Sequence, residues 1–167
     1  MPPERLKAAS FSRDAREFLC LLHKHGVRYL IIGGEAVIYY GYARLTGDID
    51  IFFDGQPDNA DSLYAALDEF WSGTIPALSR REELREPGLI LQFGRPPHRI
   101  DLLNAITGVR FEDAWASRLE VLLETESGAV PLYYIGIDHL IANKEAVGRP
   151  KDQDDLQFLR RAKRATR

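Results

Sequence analysis

The chain has 167 residues, 45% of them apolar and 28% charged, with a formal net charge of −3. That length predicts one domain over residues 1–167, the apolar share suffices for a core, and the acidic balance argues against a protein that coats nucleic acid generally. Cys20 is the single cysteine, which excludes an intrachain disulfide and a thiolate metal cluster and suits a reducing compartment. No apolar run approaches the ~20 residues that span a bilayer, and Met1-Pro2-Pro3-Glu4-Arg5 lacks an apolar signal core, so a cytoplasmic protein without membrane contact is expected.

Residues 12–25 read as an amphipathic helix, with Ala15, Phe18, Leu19 and Leu22 at helical spacing, Ser12 as N-cap and Gly26 as stop. Arg28–Ile32 is a short apolar strand, and Gly33-Gly34 turns it into a helix over about 35–42. Asp48–Phe53 is a second strand, closed by Asp54-Gly55-Gln56-Pro57, and 59–70 is a helix with Leu63, Ala66, Leu67 and Phe70 on one face. The polar stretch 76–88 is read as a helix ending at Pro87-Gly88. Segments 89–93 and 98–103 form a hairpin around Gly94-Arg95-Pro96-Pro97. A short helix over 111–117 and strands over 120–123 and 130–135 follow. Asp138 caps a helix to about Val147, Gly148-Arg149-Pro150 breaks it, and Pro150 starts a last helix to about Lys163, giving a helical C-terminal segment over 138–164. The order of elements predicts an α/β (α+β) domain with a small mixed β-sheet flanked by helices. Arg160, Arg161, Lys163, Arg164 and Arg167 form a basic end, either a solvated helix terminus or a contact for RNA phosphates or a partner protein.

The chemistry concentrates around the second strand. Asp48 and Asp50 lie at i and i+2, so strand alternation puts both carboxylates on one face and Ile49 and Ile51 on the other. Asp is depleted in strands, and two like charges on one face call for a cation between them. The diglycine at a strand-to-helix turn offers backbone N–H groups to an anion, though such glycines also serve close packing or positive φ. Asp101 is a third carboxylate in an apolar strand; it either pairs with Arg99 as a salt bridge or, if its strand lies beside Asp48–Phe53, joins the first two. Three oxygen donors without thiolates select Mg²⁺ or Mn²⁺ over zinc. Together these features predict metal–triphosphate chemistry. Tyr39, Tyr40 and Tyr42 could stack a base or fill the core, and the four histidines show no ligand spacing.

Gly33-Gly34-x-Ala36, Gly41, Arg44-x-Thr46-x-Asp48-x-Asp50 and the later Asp101 resemble the nucleotidyltransferase superfamily with the polymerase-β-like fold, and within it the AbiEii-type, abortive-infection toxin-like members. Ile141-Ala142-Asn143-Lys144-Glu145, Arg149-Pro150-Lys151-Asp152 and Asp155-Leu156 are similar to their C-terminal segments. Many superfamily members have Gly-Ser where this chain has Gly33-Gly34, which removes one hydroxyl donor and keeps the amides. Larger members also carry an added helical domain that grips the acceptor. The resemblance implies transfer of NMP from an NTP such as ATP to an acceptor hydroxyl on RNA, protein or a small molecule, in a toxin–antitoxin setting with a cognate partner. It implies two ions, Mg²⁺ or Mn²⁺, on Asp48, Asp50 and Asp101 as catalytic carboxylates. It also implies a nucleotide contacted by Gly33, Gly34, Arg44, Thr46, Lys144, Lys151 and Asp152. Lys144 otherwise reads as a solvated helix residue, and Asp152, Asp154 and Asp155 as first-turn acids favoured by the helix dipole. The competing reading keeps the fold as a non-catalytic module, an antitoxin or partner-binding protein.

Overall fold

The structure is a computed structural model and describes residues 2–42 and 48–166. In chain order its elements are β1 (Arg5–Leu6), α1 (Arg13–Lys24), β2 (Tyr29–Ile32), α2 (Gly33–Tyr39), β3 (Asp48–Phe53), α3 (Pro57–Phe70), β4 (Ile90–Phe93), β5 (Arg99–Leu103), α4 (Phe111–Ala116), β6 (Leu119–Thr125), β7 (Gly128–Tyr134), α5 (Ile137–Val147) and α6 (Gln153–Ala165), with 3-10 turns at Ala8–Ser10, Arg81–Arg85 and Pro150–Asp152. Arg44 and Thr46 lie outside the described residues.

Among the described residues, seven strands form one sheet in the order β1-β6-β7-β2-β3-β5-β4. β2 runs antiparallel to β3 and parallel to β7, β3 runs parallel to β5, and β4 closes the edge antiparallel to β5. The sheet is therefore mixed and flanked by helices, the α/β class expected. Every residue of β2 is buried, as befits a strand covered on both faces. β3 alternates: Ile49, Ile51 and Phe53 are buried on one side, while Asp48 and Asp50 are half-buried on the other.

α1 starts where its cap predicts, since the Ala15 N–H donates to Ser12 Oγ at 3.2 Å. It buries Ala15, Phe18, Leu19 and Leu22 and packs beside α3, with Phe18 edge-on to Phe70 at 5.3 Å. α3 begins two residues earlier than the apolar spacing indicates, because Pro57 supplies a preset φ at the helix start. Buried Asn59 fastens this end of the sheet, donating to the carbonyls of Arg28 (3.1 Å) and Asp54 (2.7 Å) and accepting from the Arg28 N–H at 2.7 Å.

Four local expectations are corrected. α2 starts on the diglycine itself and stops at Tyr39. The 76–88 stretch holds only the 3-10 turn Arg81–Arg85, which buries Leu84 alone and so lacks an apolar stripe for a longer helix. Gly136, not Asp138, is the N-cap of α5; the Asp138 carboxylate reaches Lys163 on α6 at 2.5 Å. Pro150 opens a 3-10 turn, and the α-helix begins only at Gln153. The two-residue β1 has no periodicity to read and forms by parallel pairing with β6.

The tyrosines after the diglycine serve packing. Tyr39 stacks on Tyr134 at 4.4 Å, Tyr40 donates its hydroxyl to the Ile135 carbonyl at 2.7 Å, and Tyr42 meets Phe158 edge-on at 4.9 Å. Arg160 and Lys163 of the basic end pair with Glu145 and Asp138 of α5, tying the two C-terminal helices together. Among the described residues, no helix is long and apolar enough to cross a membrane.

Candidate functional site

The sheet register assembles the first half of the site. Asp50 lies directly opposite Asp101, Asp48 opposite Arg99, and on the outer side Gln92 opposite Asp101. Paired residues point to the same side of a sheet, so β3, β5 and β4 present Asp48, Asp50, Arg99, Asp101 and Gln92 on one surface. Arg99 clasps Asp101 with two hydrogen bonds, Nε to Oδ1 at 2.8 Å and a terminal nitrogen to Oδ2 at 2.9 Å. The same guanidinium reaches Asp48 Oδ2 at 3.1 Å. Asp101 is thus both the salt-bridge partner of Arg99 and the neighbour of Asp50, so the two sequence alternatives hold together. Asp50 carries the electrostatic load. Burial pushes its carboxyl up to about 7, and the charge and hydrogen bond of Asp101 and the charge of Asp48 add to this, while Arg99 opposes it.

Gly33 fits this arrangement for a steric reason. Its φ is +63°, and a Cβ built there would run into Asp50 Oδ2 and lie 3.3 Å from Asp50 Cβ. Any side chain would displace the carboxylate, so the glycine lets the turn close onto β3. Gly33 and Gly34 line the same cavity as the acids, about 800 Å³ in volume.

The other wall of that cavity comes from α5, the Pro150–Asp152 turn and α6. Lys144 is buried, with its ammonium 3.1 Å from Asp152 Oδ1 and 3.0 Å from Asp155 Oδ2. Arg149 Nε adds a contact to Asp152 Oδ2 at 2.8 Å. Two expectations give way here. Lys144 is not a solvated helix residue, and the Asp152 side chain does not cap α6; Asp152 and Asp155 instead turn inward to compensate the lysine. Burial pushes the Asp152 carboxyl up, but hydrogen bonds from Arg149 and Lys144 outweigh that and hold it below the usual range. Lys151 is exposed and lines the cavity as well.

Among the described residues, no three His, Cys, Asp or Glu side chains stand together closely enough to hold a metal ion as they are. The cation within the acid cluster is Arg99. Asp50 beside it retains a proton first because it is buried and then because the charges of Asp101 and Asp48 stand close. An all-oxygen donor set of clustered carboxylates fits a hard divalent cation. Arg99 takes both oxygens of Asp101 and one of Asp48, so an ion held by Asp48, Asp50 and Asp101 would compete with that guanidinium. Sequence reasoning treated Arg99 only as a partner for Asp101 and passed over Gln92 and Arg149. The Arg99-x-Asp101 alternation held the signal for the first, and the register of the β4–β5 hairpin, which sets Gln92 opposite Asp101, was needed for the second.

No curated protein matches the chain. A sequence model of one protein family matches residues 12–160, from the start of α1 into α6, and so covers every element that builds the cavity. On that match the chain belongs to the family described as "Nucleotidyltransferase of unknown function (DUF6036)".

Proposed function

We propose that the protein is a metal-dependent nucleotidyltransferase that moves NMP from an NTP to an acceptor hydroxyl on RNA, protein or a small molecule. The observation that carries this reading is the direct pairing of Asp50 with Asp101 beside Asp48, on a sheet face that shares its cavity with the diglycine turn and with Lys144 and Lys151. Asp48, Asp50 and Asp101 would hold a divalent ion, which would supply charge neutralisation at the phosphates and acidify the attacking hydroxyl. The transfer forms the bond from acceptor oxygen to α-phosphorus, breaks the α–β phosphoanhydride bond, and releases pyrophosphate and the acceptor's proton.

The chain's own residues have distinct tasks in this scheme. The Gly33 and Gly34 backbone amides meet phosphate oxygens at the start of α2. Lys151 and Arg149, at the open side of the cavity, offset triphosphate charge. Lys144 is already compensated by Asp152 and Asp155, so it orients the Pro150–Asp152 turn, which carries Lys151 and follows directly on Arg149. An AbiEii-type role in a toxin–antitoxin pair is the setting that the sequence resemblance favours.

One observation favours a second reading, a non-catalytic module: Arg99 stands where a bound ion would bring charge. Incubation of the purified protein with each α-labelled NTP, Mg²⁺ or Mn²⁺, and total RNA or cell lysate separates the two. Label transferred by wild type and not by Asp50→Asn supports the enzyme. Failure of wild type to bind any Mg²⁺–NTP by calorimetry supports the module.

A further inference from the structure

The charged groups explain one end of the cavity and leave the other unaccounted for. Among the described residues, the exposed large hydrophobics are Ile90, Leu119 and Val147, and two of these, Ile90 and Val147, line the cavity that contains the acid cluster. Ile90 is 57% exposed on β4, the edge strand. A bare apolar side chain on a sheet edge is a liability that proteins usually remove. The register fixes its position: Gln92 stands beside Asp101, and Ile90 one pair further along, opposite Leu103. Ile90, Gln92 and the carboxylates therefore share one surface, with adjacent strands about 4.8 Å apart. On the facing wall, Val147 follows Lys144 by three residues and Asn143 by four, so all three lie on one side of α5. Leu103, Ala105 and Ile106 also line the space.

Besides its ionic groups, the cavity thus carries exposed aliphatic side chains on both walls. A metal–triphosphate group alone has no use for the aliphatic part. A nucleoside does, because a base has two apolar faces and a polar edge. The volume of about 800 Å³ lies within the range of small-ligand sites. We propose that Ile90 and Val147 form the nucleobase seat of this site. The base packs on their side chains, and the Gln92 and Asn143 amides meet its edge. Asn143 is oriented for this by donating its amide to the Thr107 carbonyl at 2.9 Å. Aliphatic side chains grip any base face, so discrimination among the four bases is weak and rests on the two amides. This inference depends on the nucleotidyl-transfer reading of the carboxylates.

The test is calorimetric binding of ATP and of inorganic triphosphate, each with Mg²⁺, to wild type, Ile90→Ser, Val147→Ser and the conservative Ile90→Val. Wild type is expected to bind ATP more tightly than triphosphate. Each serine variant should weaken ATP binding by roughly tenfold, leave triphosphate unchanged, and Ile90→Val should restore most of the loss. ATP and triphosphate bound equally by wild type, or ATP binding indifferent to both serine variants, overturns the base seat and leaves the carboxylate site standing. Binding of neither ligand by wild type overturns both. Unchanged melting temperatures in the exposed-site variants exclude misfolding as the cause of a loss.

Discussion

Two charged clusters face each other across one cavity, and they are compensated differently. On the helical wall, Lys144 and Arg149 meet Asp152 and Asp155, cation for anion, with short contacts throughout. On the sheet wall, one guanidinium reaches both Asp48 and Asp101, and Asp50 beside them is pushed up to about 7, first by burial and then by the charges of Asp101 and Asp48. The first cluster is complete in itself, and removing a member leaves a buried charge alone. The second is incomplete, and a ligand of opposite charge would relieve it. Four charged groups thus make a structural joint in one place and the proposed binding site in the other.

Removing the incomplete cluster's central acid should have the largest effect on function. Asp50→Asn is expected to lower nucleotidyl transfer by about a hundredfold to a thousandfold, and to raise the metal-free melting temperature because like-charge repulsion falls. Transfer at the wild-type rate with the ion present would break the contrast outright. Removing the complete cluster's lysine should act on stability instead. Lys144→Ala takes the ammonium away from two buried aspartates, of which Asp152 keeps Arg149, and is expected to cost about 3–5 kcal/mol in urea unfolding. A loss below about 1 kcal/mol would show that Asp152 and Asp155 are relieved by protonation or water.

Arg99→Ala should have a smaller effect, a modest drop in metal-free melting temperature, and millimolar Mn²⁺ should recover more melting temperature in this variant than in wild type. Equal recovery would mean that Arg99 and the ion do not compete for the same carboxylates. The pH response sharpens the same point. Asp50 has a folded-state value near 7 against an unfolded value of about 4, so between these limits the folded protein holds the extra proton. Metal-free stability should therefore decline as pH rises from about 4 to about 7, and this slope should be absent from Asp50→Asn. Asp152, held below its usual range, works in the opposite sense, and its contribution is lost only as pH falls into the acid range. The smallest effect is a control remote from both clusters: Ser12→Ala should cost about 1 kcal/mol through the lost cap and leave binding unchanged.

The fold class and the strand bearing Asp48 and Asp50 were legible in the sequence because alternation and turn residues are local signals. Ser12, Gly26 and the β4–β5 hairpin were legible for the same reason. What the sequence withheld is non-local. Lys144 reads as a surface residue on a helix wheel, since its partners lie in the next turn and helix and no periodicity announces a buried ion pair. Ile90 and Val147 read as ordinary strand and helix residues, and only their shared cavity sets them apart. The reach of Arg99 to Asp48 depends on parallel register, which leaves no mark in either strand alone.

That register has a consequence for assembly. Asp50 and Asp101 belong to strands about fifty residues apart in the chain that pair parallel, a long-range contact of the slow-forming kind. A fragment ending before β4 would carry the diglycine turn and both aspartates of β3 yet have no site, because the third carboxylate and its guanidinium arrive together on β5. Ion binding at the proposed site would therefore report closure of the sheet rather than formation of any local motif, and a paramagnetic Mn²⁺ signal would time the moment at which folding is finished.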